Sequence, residues 1–358
     1  VGVDNNSNGI CDTEECIDGA NPVAATNDTT LYLDAAGAAS VTGIEMNDGS
    51  SDDCAIVGYA LDVSSFDCSD IGSPVTVTLT VTDGEGNTDT ETATVTVLDN
   101  AAPALSASNA TVSLSGSAYL LTPATLSASA SDNCTASPTI ELSKDDTNWS
   151  STLAYTCLDL GGNTVYVRAT DGNSNVSTSI SVTLTIEDNT DPTISSITSG
   201  VTEILSGAGS ATIDASSYIT ASDNCTASGS LIYEISETDG SGYATTFAAD
   251  CNDLGDKTFY FRVTDASGNL STGSQVIAIA DQTAPAISSV SGVTVNLDAN
   301  GDATITASDT YVSATDNCTA SGGLTYLVSR ASDGTFTSTL AVDCADLGSL
   351  DLYFKAQD

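Results

Sequence analysis

Histidine is absent from this 358-residue chain, tryptophan and methionine occur once each, and lysine and arginine together number six. Without histidine, the commonest general base and the commonest nitrogen ligand for zinc are both missing. Six cations against 48 acids leave a formal net charge of −42. Charge of that size repels phosphate backbones and anionic headgroups, so nucleic acid and membrane surfaces are poor partners. No apolar run approaches the ~20 residues of a membrane-spanning helix, so no membrane insertion is expected of this segment. There is no Gly-x-Ser-x-Gly nucleophile elbow and no phosphate-binding loop. Trp149, the single tryptophan, offers no aromatic platform for sugars and is expected to pack at a sheet edge. Carboxylate pairs abound, which by residue type alone leaves a glycosidase open. Acids that recur identically in every repeat are scaffold parts, however, so the chain is expected not to be an enzyme.

What the sequence has is repetition. Ser131-Asp132-Asn133-Cys134-Thr135-Ala136-Ser137 returns as Ser222–Ser228 and, with Thr315 leading, as Thr315–Ser321; a looser copy begins at Ser51-Asp52-Asp53-Cys54. These cysteines step by 80 (54 to 134), 91 (134 to 225) and 93 (225 to 318), the length of a small domain. Each copy opens on an Asp four residues before a Pro: Asp18/Pro22, Asp99/Pro103, Asp188/Pro192 and Asp281/Pro285. Proline lacks an N–H and suits a stiff linker or an edge-strand start. Strands with alternating apolar residues (Val77/Leu79/Val81, Val165/Val167/Ala169, Phe259/Phe261/Val263, Leu352/Phe354/Ala356) end in Asp83, Asp171, Asp265 and Asp358, and the first three lead into Gly/Asn-rich hairpin tips. No helical period is sustained. The expectation is all-β: a leader at 1–18, then sandwich domains at 19–99, 100–188, 189–281 and 282–358. Asp351–Asp358 matches Phe259–Asp265, so the fourth copy is expected to stop before its last strand and the chain to be a piece of a longer one.

Self-repulsion at this charge density opposes compaction unless cations screen or bind it. A solubilising acidic surface is one account; bound divalent cations are the other. The leader favours cations. Asp4, Asn6 and Asn8 stand at positions 1, 3 and 5 of the twelve-residue calcium loop, Gly9 at 6, Ile10 (through its carbonyl) at 7, Asp12 at 9 and Glu15 at 12. Without calcium the same residues would form an Asx-rich turn. No helical pattern precedes the loop, so it is similar to the thrombospondin type-3 form, with a Cys11–Cys16 bridge closing it.

Ten cysteines divide as Cys11 and Cys16 in the leader and two in each repeat. With no histidine and no Cys-x-x-Cys pair, disulfides are favoured over zinc, which implies an oxidising, extracytoplasmic location. Ownership suggests pairing within repeats: Cys54–Cys68, Cys134–Cys157, Cys225–Cys251 and Cys318–Cys344.

Proline at the start, Asp-Asn-Cys in the middle and Asp-x-x-Gly-Asn in the last hairpin (Asp265–Asn269) resemble the hyalin-repeat (HYR) family of immunoglobulin-like domains. The concatenated form, with Cys157-Leu-Asp-Leu-Gly161, Cys251-Asn-Asp-Leu-Gly255 and Cys344-Ala-Asp-Leu-Gly348, is similar to giant cell-surface adhesins of gliding Bacteroidetes. The resemblance runs from about residue 19 to the end, and the first repeat departs most, with Asp53 in place of Asn. It implies type IX secretion, attachment at the outer-membrane surface, and an adhesive or filamentous role connected with gliding motility.

In an immunoglobulin-like sandwich the leading linker, the loop after the second strand and the final hairpin share one end. If Asp-Asn-Cys ends the second strand, acids converge in threes: Asp99, Asp132 and Asp171; Asp188, Asp223 and Asp265; Asp281, Asp316 and Asp358; with Asp18, Asp52 or Asp53, and Asp83 in the first repeat. Asn133, Asn224 or Asn317 would add a neutral oxygen. Such carboxylates either bind calcium, one ion per junction, or serve as turn formers. Tyr166/Arg168, Tyr260/Arg262 and Tyr353/Lys355 recur on the ascending strand, as a ligand-facing stripe or as cross-strand pairs. The function expected is a non-catalytic stalk or filament of a secreted adhesin, contacting an extracellular surface or polysaccharide and the other domains of its own chain. A spacer in a secreted hydrolase and a self-associating fibre are the alternatives.

Overall fold

The computed structural model describes residues 20–290, 292, 294–308 and 312–358. The leader loop with Asp4, Asn6, Asn8, Ile10, Asp12 and Glu15, the Cys11–Cys16 bridge and Asp18 lie outside the described residues. The chain divides into two compact units, Val1–Leu114 with Ala118–Glu187, and Ser115–Ser117 with Asp188–Asp358.

In the second unit, Thr202–Ile204, Leu270–Ala280, Gly255–Thr264 and Ile232–Ser236 lie side by side in that order in a four-stranded sheet. The first runs parallel to its neighbour (Glu203 opposite Ile279) and the others are antiparallel (Phe261 opposite Gly273, Glu234 opposite Arg262). In the facing layer Ser210–Asp214 pairs with Thr246–Asp250, and Thr193–Ile197 with Ile219–Ser222. In immunoglobulin lettering these strands are A (193–197), A′ (202–204), B (210–214 and 219–222), C (232–236), E (246–250), F (255–264) and G (270–280). Alternation makes the core: Phe259, Phe261 and Val263 of F and Ile277 and Ile279 of G pack on Ile213 of B, Ala249 of E and Leu205, while Tyr260 and Arg262 point out.

The first unit repeats this arrangement twice. Thr29–Tyr32, Thr88–Leu98, Val75–Asp83 and Ile56–Leu61 form one four-stranded sheet, again with its first strand parallel to the second; Ala110–Leu114, Ile180–Asp188, Gly161–Thr170 and Thr139–Ser143 form another. Back in the second unit, the fourth repeat pairs Ala286–Val290 with Val312–Thr315, Asp302–Thr306 with Thr339–Asp343, and Thr325–Ser329 with Tyr353–Gln357. The fold is all-β, a tandem array of immunoglobulin-like β-sandwiches.

The disulfides depart from the sequence expectation. Cys68 bonds Cys134 and Cys251 bonds Cys318, with Cα separations of 5.4 and 5.2 Å. Those two bonds exclude Cys54–Cys68, Cys134–Cys157, Cys225–Cys251 and Cys318–Cys344; Cys54, Cys157 and Cys225 are each bonded to other partners, and Cys344 keeps a free thiol. Strand topology explains the correction. E runs antiparallel to B, with Asp250 opposite Ser210, so Cys251 sits beside the start of B while Cys225 follows its end. Roughly ten strand residues at ~3.3 Å each hold the two cysteines of a repeat at opposite ends, far beyond the ~4.4–6.8 Å that a disulfide spans. Each observed bond therefore staples one repeat to the next.

Candidate metal centres at the repeat junctions

Two short motifs build the repeat junction within each unit, one from either repeat. The first is the 3-10 turn that carries the bonded cysteine after strand E. Asp250 accepts the Asn252 N–H (2.7 Å) while Asp253, two residues past the cysteine, accepts the Asp250 N–H (2.9 Å); Asp67 and Asp70 do the same around Cys68. These reciprocal caps explain the Cys-x-Asp spacing. Leu-Gly then starts strand F, with Gly255 at φ +104°, a conformation other residues disfavour.

The cysteine sulfur lies against the turn between A′ and B. There Gly209 (φ +72°) leaves room that a Cβ would close, because such an atom would meet Cys251 Sγ at 2.8 Å and the Asn317 carbonyl at 3.1 Å; Gly37 (φ +75°) does the same for Cys68 and Asn133. The sequence reading missed this turn. Its signal is a Gly closing Asp34–Gly37, Ser206–Gly209 and Asp298–Gly301, 31, 42 and 43 residues ahead of Cys68, Cys251 and Cys344.

The second motif is Asp-Asn-Cys-Thr at the end of B. Asp132 Oδ2 accepts the N–H groups of Cys134 (3.0 Å) and Thr135 (2.8 Å). Asn133 Nδ2 donates across the junction to the Asp34 carbonyl (3.0 Å) and also to Asp99 Oδ1 (3.3 Å). Thr135 Oγ1 accepts the Gly172 N–H of the final hairpin (2.9 Å). In the second unit Asn317 Nδ2 repeats this toward the Ser206 carbonyl (3.2 Å) and Asp281 Oδ1 (3.0 Å). Each residue of the motif has a separate task.

Three acids meet where these loops converge. Asp99, Asp132 and Asp171 each offer an oxygen within 4.8 Å of the others, as do Asp188, Asp223 and Asp265, and Asp281, Asp316 and Asp358. The hairpin acid is spent on structure: Asp171 takes the backbone N–H and side-chain amide of Asn175 (2.7 and 2.8 Å), and Asn175 also reaches the Asp99 carbonyl (3.1 Å). Others are left over. Asp99 Oδ2, Asp132 Oδ1 and Asn133 Oδ1 are buried with no hydrogen-bond partner; Asp281 Oδ2, Asp316 Oδ1, Asn317 Oδ1 and Asp223 Oδ2 repeat the pattern. A buried acceptor without a donor is costly. These are oxygens only, carboxylate and amide, which is the donor set of a hard divalent cation.

Neighbouring donors already favour the charged state. The Thr283 backbone N–H, and next the Asn317 amide, hold the Asp281 carboxyl below the ordinary range. In the first repeat Asp52 Oδ1 is buried and partnerless, and Asp83 is buried. Burial pushes the Asp83 carboxyl up, but the Asn87 amide and the N–H groups of Asn87, Gly86 and Glu85 outweigh it and hold the group down.

No protein-family model matches this chain, and neither does any curated protein. Among solved structures it is similar to an I-band fragment of titin (11% identity, 73% of this chain and 99% of that one, TM-score 0.36). It is also similar to Drosophila N-cadherin EC1-4 (16%, 85% and 86%, 0.27) and to the human desmocollin-1 ectodomain (12%, 94% and 76%, 0.26). The fold assignment rests on strand order, not on these similarities.

The cation stripe resolves into local pairs in the second and third repeats. Arg168 bonds Glu141 on the neighbouring strand (2.8 Å) and lies over Trp149 at 4.4 Å; Arg262 bonds Glu234 (2.7 Å) and lies over Tyr243 at 4.5 Å. Trp149 is thus half-buried under an arginine. Lys355 stands opposite Leu327, which offers no charge.

Proposed function

We propose that this chain is a load-carrying stalk segment of a secreted cell-surface adhesin, with sandwich domains at 19–99, 100–188, 189–281 and 282–358 joined by cross-links and calcium. The observation that carries the reading is that cysteines and partnerless oxygens gather at the same repeat junctions. A disulfide inside a sandwich protects one domain; a disulfide between sandwiches keeps neighbours joined and is what a stalk needs. The HYR-like motifs, the net charge of −42 and the oxidising compartment implied by disulfides agree with an extracellular setting.

When bound, calcium would supply positive charge among Asp99, Asp132 and Asn133, and among Asp281, Asp316 and Asn317. Asp171 and Asp265 mainly hold their hairpins in place. Outer-membrane attachment, type IX secretion, gliding and recognition of a polysaccharide belong to this reading through the motif resemblance alone. The leader calcium loop is part of the same proposal.

Titration of the chelator-stripped protein with calcium tests it. Binding that raises the melting temperature is expected, with a gain of about 2.7 kcal/mol when calcium stands at about 100 times its Kd. Asp132→Asn together with Asp99→Asn should remove one site from the stoichiometry and leave the disulfides intact. Equal melting temperatures in calcium and chelator would end the metal part of the reading.

A further inference from the structure

Cys68–Cys134 and Cys251–Cys318 each close a long loop of chain, with sequence separations of 66 and 67 residues. Fully extended, such a loop spans ~220 Å at ~3.3 Å per residue. The bonds hold its ends 5.4 and 5.2 Å apart at Cα. A pull along the chain therefore crosses the sulfurs and leaves the loop slack. In the first unit the slack loop holds strands F and G of the first repeat (Val75–Asp83 and Thr88–Leu98) and the Asp99–Pro103 linker. Ala104–Ser106, Ala110–Leu114, Ala118–Leu121 and Ser129–Ser131 of the second repeat follow in the same loop. In the second unit it holds F and G of the third repeat and the Asp281–Pro285 linker, then Ala286–Val290, Asp302–Thr306 and Val312–Thr315 of the fourth.

Two separate features fall inside these loops. The first is the core. Strand F of the third repeat buries Phe259, Phe261 and Val263, and G buries Ile277 and Ile279. Tension leaves that repeat at Cys251, at the end of E, and bypasses both strands. The second is the set of partnerless oxygens. Asp99 Oδ2, Asp132 Oδ1 and Asn133 Oδ1 lie between Cys68 and Cys134, and Asp281 Oδ2, Asp316 Oδ1 and Asn317 Oδ1 lie between Cys251 and Cys318. The amides of Asn133 and Asn317, which reach the Asp34 and Ser206 carbonyls of the preceding repeats, lie there too.

We propose that these two disulfides are load bypasses. Tension passes through sulfur from Cys68 to Cys134 and from Cys251 to Cys318, so the linkers between those repeats carry none of it. The junction oxygens and the strands that fill the core then keep their places while the chain is pulled. The inference deepens the stalk reading and rests on it for the presence of load; the path follows from the two bonds and needs no calcium.

Stretching the full chain by its two ends in an optical trap, without reductant, tests it. Cys251→Ser with Cys318→Ser should lengthen the fully stretched molecule by ~220 Å over the parent, in calcium and in chelator alike. Cys68→Ser with Cys134→Ser should add a like amount. Full-stretch length depends on covalent connectivity, so a variant that folds poorly still reports. Variants no longer than the parent overturn the proposal. A second measurement uses the parent alone: dithiothreitol added to the stretched molecule should release steps of ~220 Å as these bonds are reduced, and an absence of such steps also overturns it. A ~220 Å gain with no calcium effect on melting leaves this inference standing while the metal reading fails. Melting raised by calcium with equal stretched lengths removes this inference alone.

Discussion

Asn133 and Asn317 each send an amide N–H into the preceding repeat and keep an oxygen buried beside two carboxylates. Asp could supply that oxygen but not the donor, so Asn317→Asp is expected to weaken the junction more than it helps a cation. The expected loss is about 0.5–1.5 kcal/mol, the net worth of a hydrogen bond to an exposed acceptor such as the Ser206 carbonyl, read from chemical unfolding. Asp346 makes a different case. The Arg330 guanidinium, and next the Asp343 N–H, draw its carboxyl down from 3.8 to about 2. A carboxyl lowered on folding stabilises fully above its ordinary value and loses that contribution as pH falls toward the folded one. The window is therefore pH 4 to 2, and Arg330→Ala should shift the Asp346 titration upward in a carboxyl-carbon NMR experiment. An unchanged midpoint would remove Arg330 as the cause.

At the scale of the element, strand F decides each core. Phe259 and Phe261 are fully buried between G and the facing layer, and Phe261→Ala should cost about 3–5 kcal/mol. Phe354 occupies the matching place in the fourth repeat but is only half-buried, so Phe354→Ala should cost less when both are measured by the same denaturant midpoint. The staples act between elements of different repeats. Replacing Cys68 and Cys134 by serine opens a loop with a sequence separation of 66 residues, and the chain-entropy estimate for such a loop is about 4 kcal/mol. The first unit of that variant should melt earlier while Cys251–Cys318 survives peptide mapping. A map of the parent protein showing Cys54 joined to Cys68 would contradict the topology itself.

For the whole molecule, charge sets the conditions. With a net charge of −42 the folded chain repels itself, and ions relieve the strain by screening or by binding. Melting temperature is expected to rise as sodium chloride goes from ~10 to ~150 mM, where the Debye length falls to about 8 Å. Millimolar calcium should add a further rise at ~150 mM salt, because site binding persists where screening is already nearly complete. A calcium effect that vanishes at that salt would reduce the acids to a solubilising surface.

Period, strand alternation and turn chemistry were local properties, and the sequence alone determined them: the β class, the alternating core of strand F and the convergence of Asp99, Asp132 and Asp171. The acids were legible because linker, second-strand loop and final hairpin share one end in any such sandwich. Partner choice for the cysteines was not, since two cysteines in one repeat look like a pair until the strands between them are laid end to end. Only the tertiary structure put Cys68 beside Cys134 and the Gly37 turn beneath them both. A disulfide depends on distance in space, and an antiparallel B–E pair places the nearer cysteine in sequence at the far end of the sandwich.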